Sequence, residues 1–556
     1  MSTNWTGYRL PESPATYDEL RDDFEWQVPD NYNIAAVALD GDSDAVALHH
    51  VPETGSAAAY DGEMRTVTYG ALADASAAVA LHLAAEGVTP GDRVAVCLPQ
   101  CPEQVVVHLA VYRLGGVVVP VSMLLGDAAM AHVLTHSDAD ALFIDEQRWS
   151  QVATGSLPEI LLTVSVDAEQ SALGGLAELA GEVRTAVTPP FASTTPSDPA
   201  IVLYTSGTTS DPKGVVQTHQ YLLGSLPGYH CWFDLFEPEA AREARVWTPS
   251  EWAWAGALFN VVLPTLAVGG TVVSSVRRSG FEPERAVELV RTQSVTHAFY
   301  PPTALRKLRQ SNVTVETPSL TVIMSGGEAL PKTVSRWAEQ TFGVTVNESY
   351  GETEANALAG ESKDRFGAAA AETVGRPYPG HQLAIIDADG KERPHGEIGE
   401  IAVGRPDPVV MQGYLEDPDT TQGVLSNHWL RTGDLGRFTT DGELEHLGRK
   451  DELIISSGYR ISPLEVESVL SDHPDVAAAL VRGEPDKQCG QAIVAIVLPT
   501  NRAIDRSVLT AVLRTHVADV LGPFKRPHRF DFVSELPTTR TGKIDRAWTE
   551  NGSQGS

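Results

Sequence analysis

The sequence predicts an α/β protein with a large N-terminal domain of parallel-rich sheets and helices, a β-rich subdomain, and a small α+β C-terminal domain. Three observations support this. Helical and strand patterns alternate over residues 60–150 and 245–350, which indicates mostly parallel sheets covered by helices. Short strands with turn signals dominate residues 383–447. A chain of 556 residues is too long for a single hydrophobic core.

The first region of alternating elements begins with an apolar helical pattern over residues 69–86. A strand at 92–98, a helix at 103–115 and a second strand at 117–120 follow. Residues 150–197 are less regular and rich in Ser, Thr and Pro towards their end, so they are predicted to be a connection. The apolar run 200–203 then predicts a buried strand.

A smaller unit follows Lys450. We predict a strand at 453–456, a helix at 463–470, strands at 477–482 and 492–499, and a helix at 507–521. About 100 residues suffice for a small domain. The predicted division is an N-terminal domain at 1–450, a C-terminal domain at 451–548 and a frayed tail at 549–556.

The net charge is unusually negative. The chain has 73 acidic and 41 basic residues, a formal charge of −32, and only 9 lysines. The acidic residues are spread along the whole chain, so nucleic acid is not expected as a partner. Molar salt shortens the Debye length to about 3 Å and screens such repulsion. We therefore predict a halophilic protein; an acidic mesophilic enzyme is the alternative.

Composition also predicts the compartment. No apolar run reaches 18 residues, so no membrane span is expected. Residues 1–30 are acidic and polar, unlike a secretory signal. The four cysteines have neither disulfide density nor paired metal-ligand spacing. These features predict a cytoplasmic protein. The sequence leaves the oligomeric state open, and a homodimer is one candidate.

The most informative segment is the loop at 204–214, Tyr-Thr-Ser-Gly-Thr-Thr-Ser-Asp-Pro-Lys-Gly. Small residues let backbone N–H groups approach an anion, hydroxyl groups add donors, and Lys213 supplies a positive charge. This pattern predicts a phosphate-binding loop. It is not the P-loop of kinases, because Pro212 precedes the lysine and Gly214 follows it.

Six further motifs follow this loop in order: Ser325-Gly-Gly-Glu328, Tyr350-Gly-Glu-Thr-Glu354, Thr432-Gly-Asp434, Gly448-Arg-Lys-Asp451, Gly458-Tyr-Arg460 and Pro537-Thr-Thr-Arg-Thr-Gly-Lys543. Together the seven resemble the signature of the adenylate-forming, AMP-binding superfamily. That superfamily includes acyl-CoA synthetases, luciferases and the adenylation domains of peptide synthetases. The chain looks most like short- and medium-chain acyl-CoA synthetases, and the resemblance covers nearly all of it.

The resemblance implies an acid–thiol ligase that uses Mg²⁺ as its cofactor and ATP and CoA as cosubstrates. A carboxylate attacks the α-phosphate of ATP, which gives acyl-AMP and pyrophosphate. The CoA thiol then displaces AMP. Because both transition states are charged and crowded, catalysis should depend mainly on positioning and electrostatic stabilisation.

The resemblance also implies roles for individual residues. Lys213 would hold the β- and γ-phosphates; a solvated surface lysine is the less favoured alternative, given its place in the loop. The residues that share this phosphate-binding role are Thr205, Ser206, Gly207, Thr208 and Thr209. Glu354 would bind magnesium, which prefers one or two carboxylates with phosphate oxygens and water. Thr353 would contact the α-phosphate.

The nucleoside of ATP would be bound by residues from three motifs. Tyr350 would lie against adenine, since an aromatic ring stacks on any base. Asp434 would accept hydrogen bonds from both ribose hydroxyls, and Arg449 would reinforce that grip. The adenine pocket would be completed by Gly326, Gly327 and Glu328.

The C-terminal domain is implied to be mobile. It would rotate about Asp451 and exchange the residues that face the nucleotide. Lys543 would bridge the carboxylate and the α-phosphate during adenylation. Gly458 would let the pantetheine arm of CoA pass, with Tyr459 and Arg460 beside it. Lys525 would meet CoA phosphates, although a basic residue before Pro527 is also common on surfaces.

The acyl pocket is predicted from one missing side chain. Acetyl-specific relatives carry a tryptophan at the position of Gly351, so its absence predicts room for several methylenes, each worth about 0.8 kcal/mol on burial. Trp254, or Trp252 beside it, would wall this pocket unless these rings are core residues. The expected substrate is therefore a short- or medium-chain carboxylic acid.

Three alternatives remain at this point. One is an aryl- or amino-acid-adenylating enzyme that loads a separate carrier protein; no Leu-Gly-Gly-x-Ser attachment site occurs in the chain. A second is an acetate or propionate ligase. The third is a nucleotide-binding regulatory protein without catalysis, which the presence of Lys543, Glu354 and Asp434 disfavours.

Overall fold

The structure is a computed structural model. It describes residues 16–52, 64–152, 157–168, 173, 176, 190–205, 212–276, 280–311, 313–370, 373–501 and 503–536, with the backbone of Tyr8–Arg9.

The described strands form five sheets. In chain order they are β1 Tyr8–Arg9, β2 Glu25–Trp26, β3 Val46–Val51, β4 Arg65–Thr68, β5 Arg93–Cys97, β6 Val117–Pro120, β7 Ala141–Asp145, β8 Leu162–Val166, β9 Pro199–Thr205, β10 Lys213–Thr218, β11 Arg245–Trp247, β12 Thr271–Ser275, β13 His297–Phe299, β14 Val322–Gly326, β15 Thr345–Tyr350, β16 Ala359–Gly360, β17 Arg376–Pro377, β18 Leu383–Ile386, β19 Gly399–Gly404, β20 Gly413–Tyr414, β21 Trp429–Phe438, β22 Leu444–Arg449, β23 Ile454–Ser456, β24 Tyr459–Ile461, β25 Val476–Asp486, β26 Gly490–Pro499 and β27 Arg529–Phe532.

The described helices connect and cover these sheets. They are α1 Tyr17–Asp22, α2 Ile34–Ala38, α3 Tyr69–Ala85, α4 Pro102–Leu114, α5 Asp127–His136, α6 Glu146–Gln151, α7 Gln220–Phe233, α8 Pro238–Glu243, α9 Ala255–Ala257, α10 Leu263–Ala267, α11 Pro283–Thr292, α12 Pro302–Gln310, α13 Lys332–Phe342, α14 Lys363–Phe366, α15 Pro418–Val424, α16 Pro463–Ser471 and α17 Arg506–Leu521, with a π-helical segment at Leu258–Val262 and 3₁₀ turns at Lys450–Glu452 and Pro523–Lys525.

Two large sheets confirm the predicted α/β class. A seven-stranded sheet has the order β20-β10-β9-β6-β5-β7-β8, and a nine-stranded sheet has the order β17-β16-β15-β14-β13-β11-β12-β3-β4. Their central strands are parallel, whereas β10, β20, β16, β17 and β4 pair antiparallel at the ends. Helices on the sheet faces close a core of apolar side chains.

Local sequence signals explain where the helices begin and end. The Thr68 hydroxyl accepts a hydrogen bond from the Ala71 N–H and so caps α3. Pro102 occupies the first turn of α4, and Gly115 ends that helix with φ of 76°. The observed α3 and α4 agree with the predicted segments 69–86 and 103–115 to within one residue at each end.

The β-rich subdomain is a four-stranded antiparallel sheet with the order β18-β19-β21-β22. Along β21, buried positions alternate with half-buried ones, because one face of the strand packs inwards. Asp434 and Arg449 are directly opposite one another on β21 and β22. This register places two predicted nucleotide-binding residues side by side.

Residues from Ile454 onwards build a separate sheet, with the order β24-β23-β26-β25 and β27 beside β26. The helices α16 and α17 pack with this sheet around their own apolar cluster, which includes Ile454, Val466 and Leu513. Short strands β24 and β27 were not predicted from the sequence. No helix in the described part of the chain is both long and apolar enough to cross a membrane.

Candidate functional site

A cavity of about 430 Å³ opens where the seven-stranded sheet meets the β-rich subdomain. It is lined by positively charged groups and carboxylates. The cationic residues are Lys213, Arg431, Arg449 and Lys450, and the acidic ones are Glu352, Glu354 and Glu400. Several cations around one cavity suit a polyphosphate, and carboxylates suit a hard divalent cation between phosphate and protein.

Lys213 and Glu354 reach this cavity from different strands and share one aromatic neighbour. Lys213 begins β10, and its Nζ lies 5.2 Å from the ring centroid of Tyr414 on β20. The Tyr414 hydroxyl donates to Oε1 of Glu354 at 2.8 Å. This hydrogen bond orients the carboxylate predicted to bind magnesium.

The backbone after β15 is fixed by hydrogen bonds from β10, from α7 and from the segment before β20. The carbonyl oxygen of Thr353 accepts hydrogen bonds from Nε2 of Gln217 at 2.8 Å and from the Tyr221 hydroxyl at 3.2 Å. The Met411 N–H donates to the carbonyl of Glu354 at 2.8 Å. These bonds fix the backbone of Thr353 and of Glu354, and the Glu354 side chain lines the cavity.

Three side chains converge on the carboxylate of Asp434, a residue that is 7% exposed. The Tyr350 hydroxyl donates to Oδ2 at 2.8 Å. Nε2 of His446 lies 3.3 Å from the same oxygen. Nη1 of Arg449 lies 3.4 Å from Oδ1 and also donates to the Thr432 carbonyl at 3.0 Å. Asp434 therefore sits in a fixed orientation beside the cavity.

The ionisation of Asp434 is favoured by these neighbours. Burial by itself would raise the pKa of Asp434, but the close contact with His446, its charge and the charge of Arg449 outweigh burial and lower the pKa. Tyr350 shows the opposite effect: burial, and then the negative charge of Asp434, raises its pKa well above the usual value. Tyr350 is therefore a hydrogen-bond donor at neutral pH.

Two carboxylates in the cavity were not predicted as site residues. Burial first, and then repulsion from Glu354 and Asp434, raises the pKa of Glu352 well above its usual value. Glu400 is buried and accepts from Nη1 of Arg431 at 2.7 Å; Nζ of Lys450 lies 3.4 Å from the same oxygen. Glu400 thus anchors two of the cationic groups.

The predicted adenine-pocket residues have contacts of their own. Glu328 accepts from Nη2 of Arg306 at 2.7 Å and from the Thr303 hydroxyl at 2.9 Å. A Cβ added to Gly326 would lie 2.6 Å from the Ser349 carbonyl oxygen, so glycine is needed there for the approach of β14 to β15. Gly327 has φ of +83° and open space around it.

Gly351 does not border an empty space in this structure. A Cβ added there would lie 2.7 Å from the backbone nitrogen of Ala357, because the chain folds back after Glu352. Trp252 is 1% exposed and belongs to the central core, whereas Trp254 is half-buried at the start of α9. Trp252 is thus a core aromatic, and the roles of Gly351 and Trp254 in an acyl pocket stay predictions.

The predicted CoA-binding segment forms a tight hairpin. Ser457 and Gly458 both have positive φ, 51° and 84°, between β23 and β24, as a two-residue type I′ turn requires. The next residue, Tyr459, is 51% exposed, and its ring centroid lies 4.7 Å from that of Phe524. A Cβ at Gly458 would meet nothing within 4 Å.

The other CoA-binding and hinge candidates are not at the cavity wall. Arg460 is exposed next to the hairpin. Nζ of Lys525 pairs with Oε2 of Glu465 at 2.6 Å, so contact with a CoA phosphate requires this ion pair to open. Asp451 lies in the 3₁₀ turn after β22, with Oδ1 3.4 Å from Nε of Arg449.

Some predicted residues lie outside the described part of the chain. Thr205 ends β9 and is half-buried, but residues 206–211 of the phosphate loop lie outside the described ranges. The predicted site residues outside the described ranges are Ser206, Gly207, Thr208, Thr209 and Lys543.

The residues that sequence reasoning missed are those brought to the site by long-range contacts. Tyr414 is 60 residues from Glu354, its hydrogen-bond partner. His446 follows an ordinary Leu-Glu pair in β22. Neither lies in a motif with a recognisable spacing, whereas Glu352 sits inside the motif Tyr350-Gly-Glu-Thr-Glu354.

Comparisons with known proteins find related sequences along most of the chain. A family model described as AMP-binding enzyme matches residues 45–415, and one described as AMP-binding enzyme C-terminal domain matches residues 465–543. An uncharacterized acyl–CoA ligase, YtcI of Bacillus subtilis (strain 168), is 30% identical over 488 residues, which is 87% of this chain and 90% of that protein.

Two further proteins resemble the chain along most of its length. Acyl-coenzyme A synthetase ACSM3, mitochondrial, of Homo sapiens is 29% identical over 557 residues, which is 96% of this chain and 92% of that protein. The crystal structure of ATP-bound MatB from Rhodopseudomonas palustris superposes with a TM-score of 0.78 at 27% identity, and covers 93% of this chain and 97% of that one.

Proposed function

The chain belongs to the family of AMP-binding enzymes, and from this premise we propose that it is an AMP-forming acyl-CoA synthetase for a short- or medium-chain carboxylic acid. The observation that carries the proposal is the shared cavity. Lys213, Glu354 and Arg449 come from three separate motifs and line the same 430 Å³ space, with Asp434 beside it.

In the first half-reaction a carboxylate oxygen of the acid attacks the α-phosphorus of ATP, and pyrophosphate leaves. Lys213 neutralises the charge of the leaving phosphates, and Thr353 contacts the α-phosphate from a backbone held by Gln217 and Tyr221. Lys543 stabilises the attacking carboxylate in this step. Asp434 and Tyr350 fix the nucleoside, so that the α-phosphorus faces the acid.

Magnesium fits the residues present at Glu354. One carboxylate oxygen accepts from Tyr414, which leaves the second oxygen for a cation, and the cavity already favours phosphate. A bound Mg²⁺ supplies charge neutralisation between the phosphates of ATP.

In the second half-reaction the sulfur of CoA attacks the acyl carbonyl carbon, and AMP leaves. We propose that residues 451–548 rotate about Asp451 between the two steps. Support comes from the ion pair of Arg449 with Asp451 and from the separate sheet that follows it. The rotation brings Gly458 with its hairpin to the site in place of Lys543, and Tyr459, Arg460 and Lys525 contact CoA.

The proposed substrate stays a short- or medium-chain acid because position 351 carries no indole, although backbone and not free space lies beside Gly351, and Trp254 is one wall of the proposed acyl pocket. Because the Gly351 position is crowded by backbone, the size of the pocket is best measured with substrates rather than with a tryptophan variant. A panel of acids from acetate to decanoate, with benzoate included, separates this proposal from an acetate or propionate ligase and from an aryl-adenylating enzyme.

The setting of the enzyme is also proposed. The charge of −32 spread along the chain supports a halophilic, cytoplasmic protein. Its partners are then the acid, ATP and CoA, with a homodimer as the candidate assembly, which size-exclusion chromatography with light scattering measures directly.

The experiment that tests the function measures pyrophosphate, AMP and ADP separately, with and without CoA. We expect pyrophosphate release to require acid and ATP, and stoichiometric AMP release to require CoA as well. AMP release that depends on a carrier protein instead of CoA would favour the carrier-loading alternative. Release of ADP and phosphate would exclude this reaction.

A further inference from the structure

One imidazole contacts both residues that are proposed to bind the nucleoside of ATP. Nε2 of His446 lies 3.3 Å from Oδ2 of Asp434, and the His446 ring lies 5.2 Å, centroid to centroid, from the ring of Tyr350, tilted by 37°. Tyr350 in turn donates to the same Oδ2 at 2.8 Å. Each of these three side chains therefore contacts the other two.

The contact between His446 and Asp434 is largely buried. The side chains of His446 and Asp434 are 19% and 9% exposed. The Nε2 atom of His446 is shielded from solvent and makes no hydrogen bond of regular geometry with the described residues. Its contact with the Asp434 carboxylate at 3.3 Å is therefore electrostatic. Attraction requires a proton on Nε2, since a bare nitrogen lone pair would face the negative charge of Asp434.

The register of the sheet brings His446 close to the carboxylate that Arg449 also contacts. In the antiparallel pair of β21 and β22, His446 is opposite Gly436, and Arg449 is opposite Asp434. Arg449 binds Oδ1, and Tyr350 and His446 approach Oδ2. Each carboxylate oxygen is therefore held by a donor, and the plane of the carboxylate is set before a ribose arrives.

We infer that His446 is a positioning residue for the nucleoside of ATP, which holds the Asp434 carboxylate in the orientation that accepts the ribose hydroxyls and supports the ring of Tyr350. This inference rests on the proposed function. His446 reaches the ribose only through Asp434, so its loss should weaken recognition of the hydroxyl groups more than it slows chemistry.

The test compares ATP with 2′,3′-dideoxy-ATP in the pyrophosphate release assay. Wild-type enzyme should prefer ATP by about tenfold or more in kcat/KM, the size expected for hydrogen bonds to a charged group. His446→Phe keeps a ring against Tyr350 but removes the donor. We expect it to lose most of this preference through a higher KM for ATP, with kcat changed by less than about twofold.

Two variants separate positioning from a general structural role. His446→Gln keeps an N–H donor and should retain most of the preference for ATP. His395→Phe alters an exposed histidine that packs on Phe438 and should leave the preference unchanged. His446→Asn, whose amide is too short to reach Asp434, replaces His446→Phe if that variant does not fold.

The outcomes are distinguishable. Equal losses with ATP and dideoxy-ATP, or an unchanged preference in His446→Phe, would overturn the inference while the proposed function stands. A wild-type enzyme that treats the two nucleotides alike would overturn both the inference and the ribose-binding role of Asp434. If the wild-type enzyme releases no pyrophosphate from ATP with any acid, the proposed function itself fails.

Discussion

The hydroxyl group of Tyr414 donates a 2.8 Å hydrogen bond to Oε1 of Glu354, and the ring of the same tyrosine lies beside the ammonium group of Lys213. One side chain from the edge strand β20 thus connects the proposed magnesium ligand with the proposed phosphate-binding lysine. Neither relationship could be recognised in the sequence, because Tyr414 lies far along the chain from both partners.

This relationship predicts a change in the magnesium requirement. Tyr414→Phe keeps the ring beside Lys213 but removes the hydrogen bond that orients Glu354. Hydrogen bonds to charged groups contribute about 1.5–3 kcal/mol, so we expect the Mg²⁺ concentration for half-maximal pyrophosphate release to rise about tenfold. Tyr17→Phe, which loses a bond to the Pro377 carbonyl away from the cavity, should leave that concentration unchanged. A similar Mg²⁺ requirement in both variants would refute the link between Tyr414 and the metal.

A second prediction concerns Lys543 and the division of labour between the two half-reactions. Lys543→Ala should reduce acyl-AMP formation at least about a hundredfold, because a charge in contact with the reacting groups is lost. Consumption of supplied acyl-AMP by CoA should remain within about threefold of wild type. Lys487→Ala, an exposed lysine of the same domain, is the matched control. Equal loss of both half-reactions in Lys543→Ala would contradict the proposed exchange of residues.

The hinge gives a third prediction. Asp451 lies in a 3₁₀ turn, where φ near −60° is compatible with proline, but proline prevents the larger rotation of φ that a hinge needs. Asp451→Pro should preserve acyl-AMP formation and reduce thioester formation at least about tenfold. Asp451→Ala removes the contact with Arg449 but keeps backbone freedom, and it should carry out both steps. Normal thioester formation by the proline variant would place the hinge elsewhere.

Salt dependence provides a fourth prediction. At 0.1 M salt the Debye length is about 10 Å, and the acidic groups on the surface repel one another; at 1 M it is about 3 Å. We expect the Tm and the specific activity to rise steeply between 0.1 and 2 M KCl. Thermal melts at matched pH measure this directly. A protein equally stable and fully active at 0.1 M KCl would show that the negative charge has another cause.

The sequence predicted the elements whose apolar pattern and end signals agree. The α3 and α4 helices and the strands β5 and β6 fall within a residue or two of their predicted bounds. In the edge strand β8, half-buried residues alternate with exposed ones and only Val166 is buried. This strand was missed because the Ser, Thr and Pro content towards the end of 150–197 favours a connection. The short strand β24 was also missed, since two of its three residues are exposed.

The site residues that could be predicted are those that lie in contiguous sequence motifs. Lys213, Glu354 and Arg449 were each expected at the nucleotide and line one cavity. Tyr414 and His446 reach the site only through tertiary contacts, which no local pattern encodes. At Gly351 a motif position misled the prediction of local space. The missing side chain suggested free space, whereas the backbone of Ala357 lies there.

The measurement that tests the central claim most directly follows the oxygen atoms of the acid. If a carboxylate oxygen attacks the α-phosphorus and the CoA sulfur then attacks the acyl carbon, that oxygen stays with AMP. With the preferred acid labelled in both carboxylate oxygens with ¹⁸O, mass spectrometry should find one ¹⁸O in AMP and one in acyl-CoA. Label in inorganic phosphate together with ADP would show an acyl-phosphate route and would contradict the account.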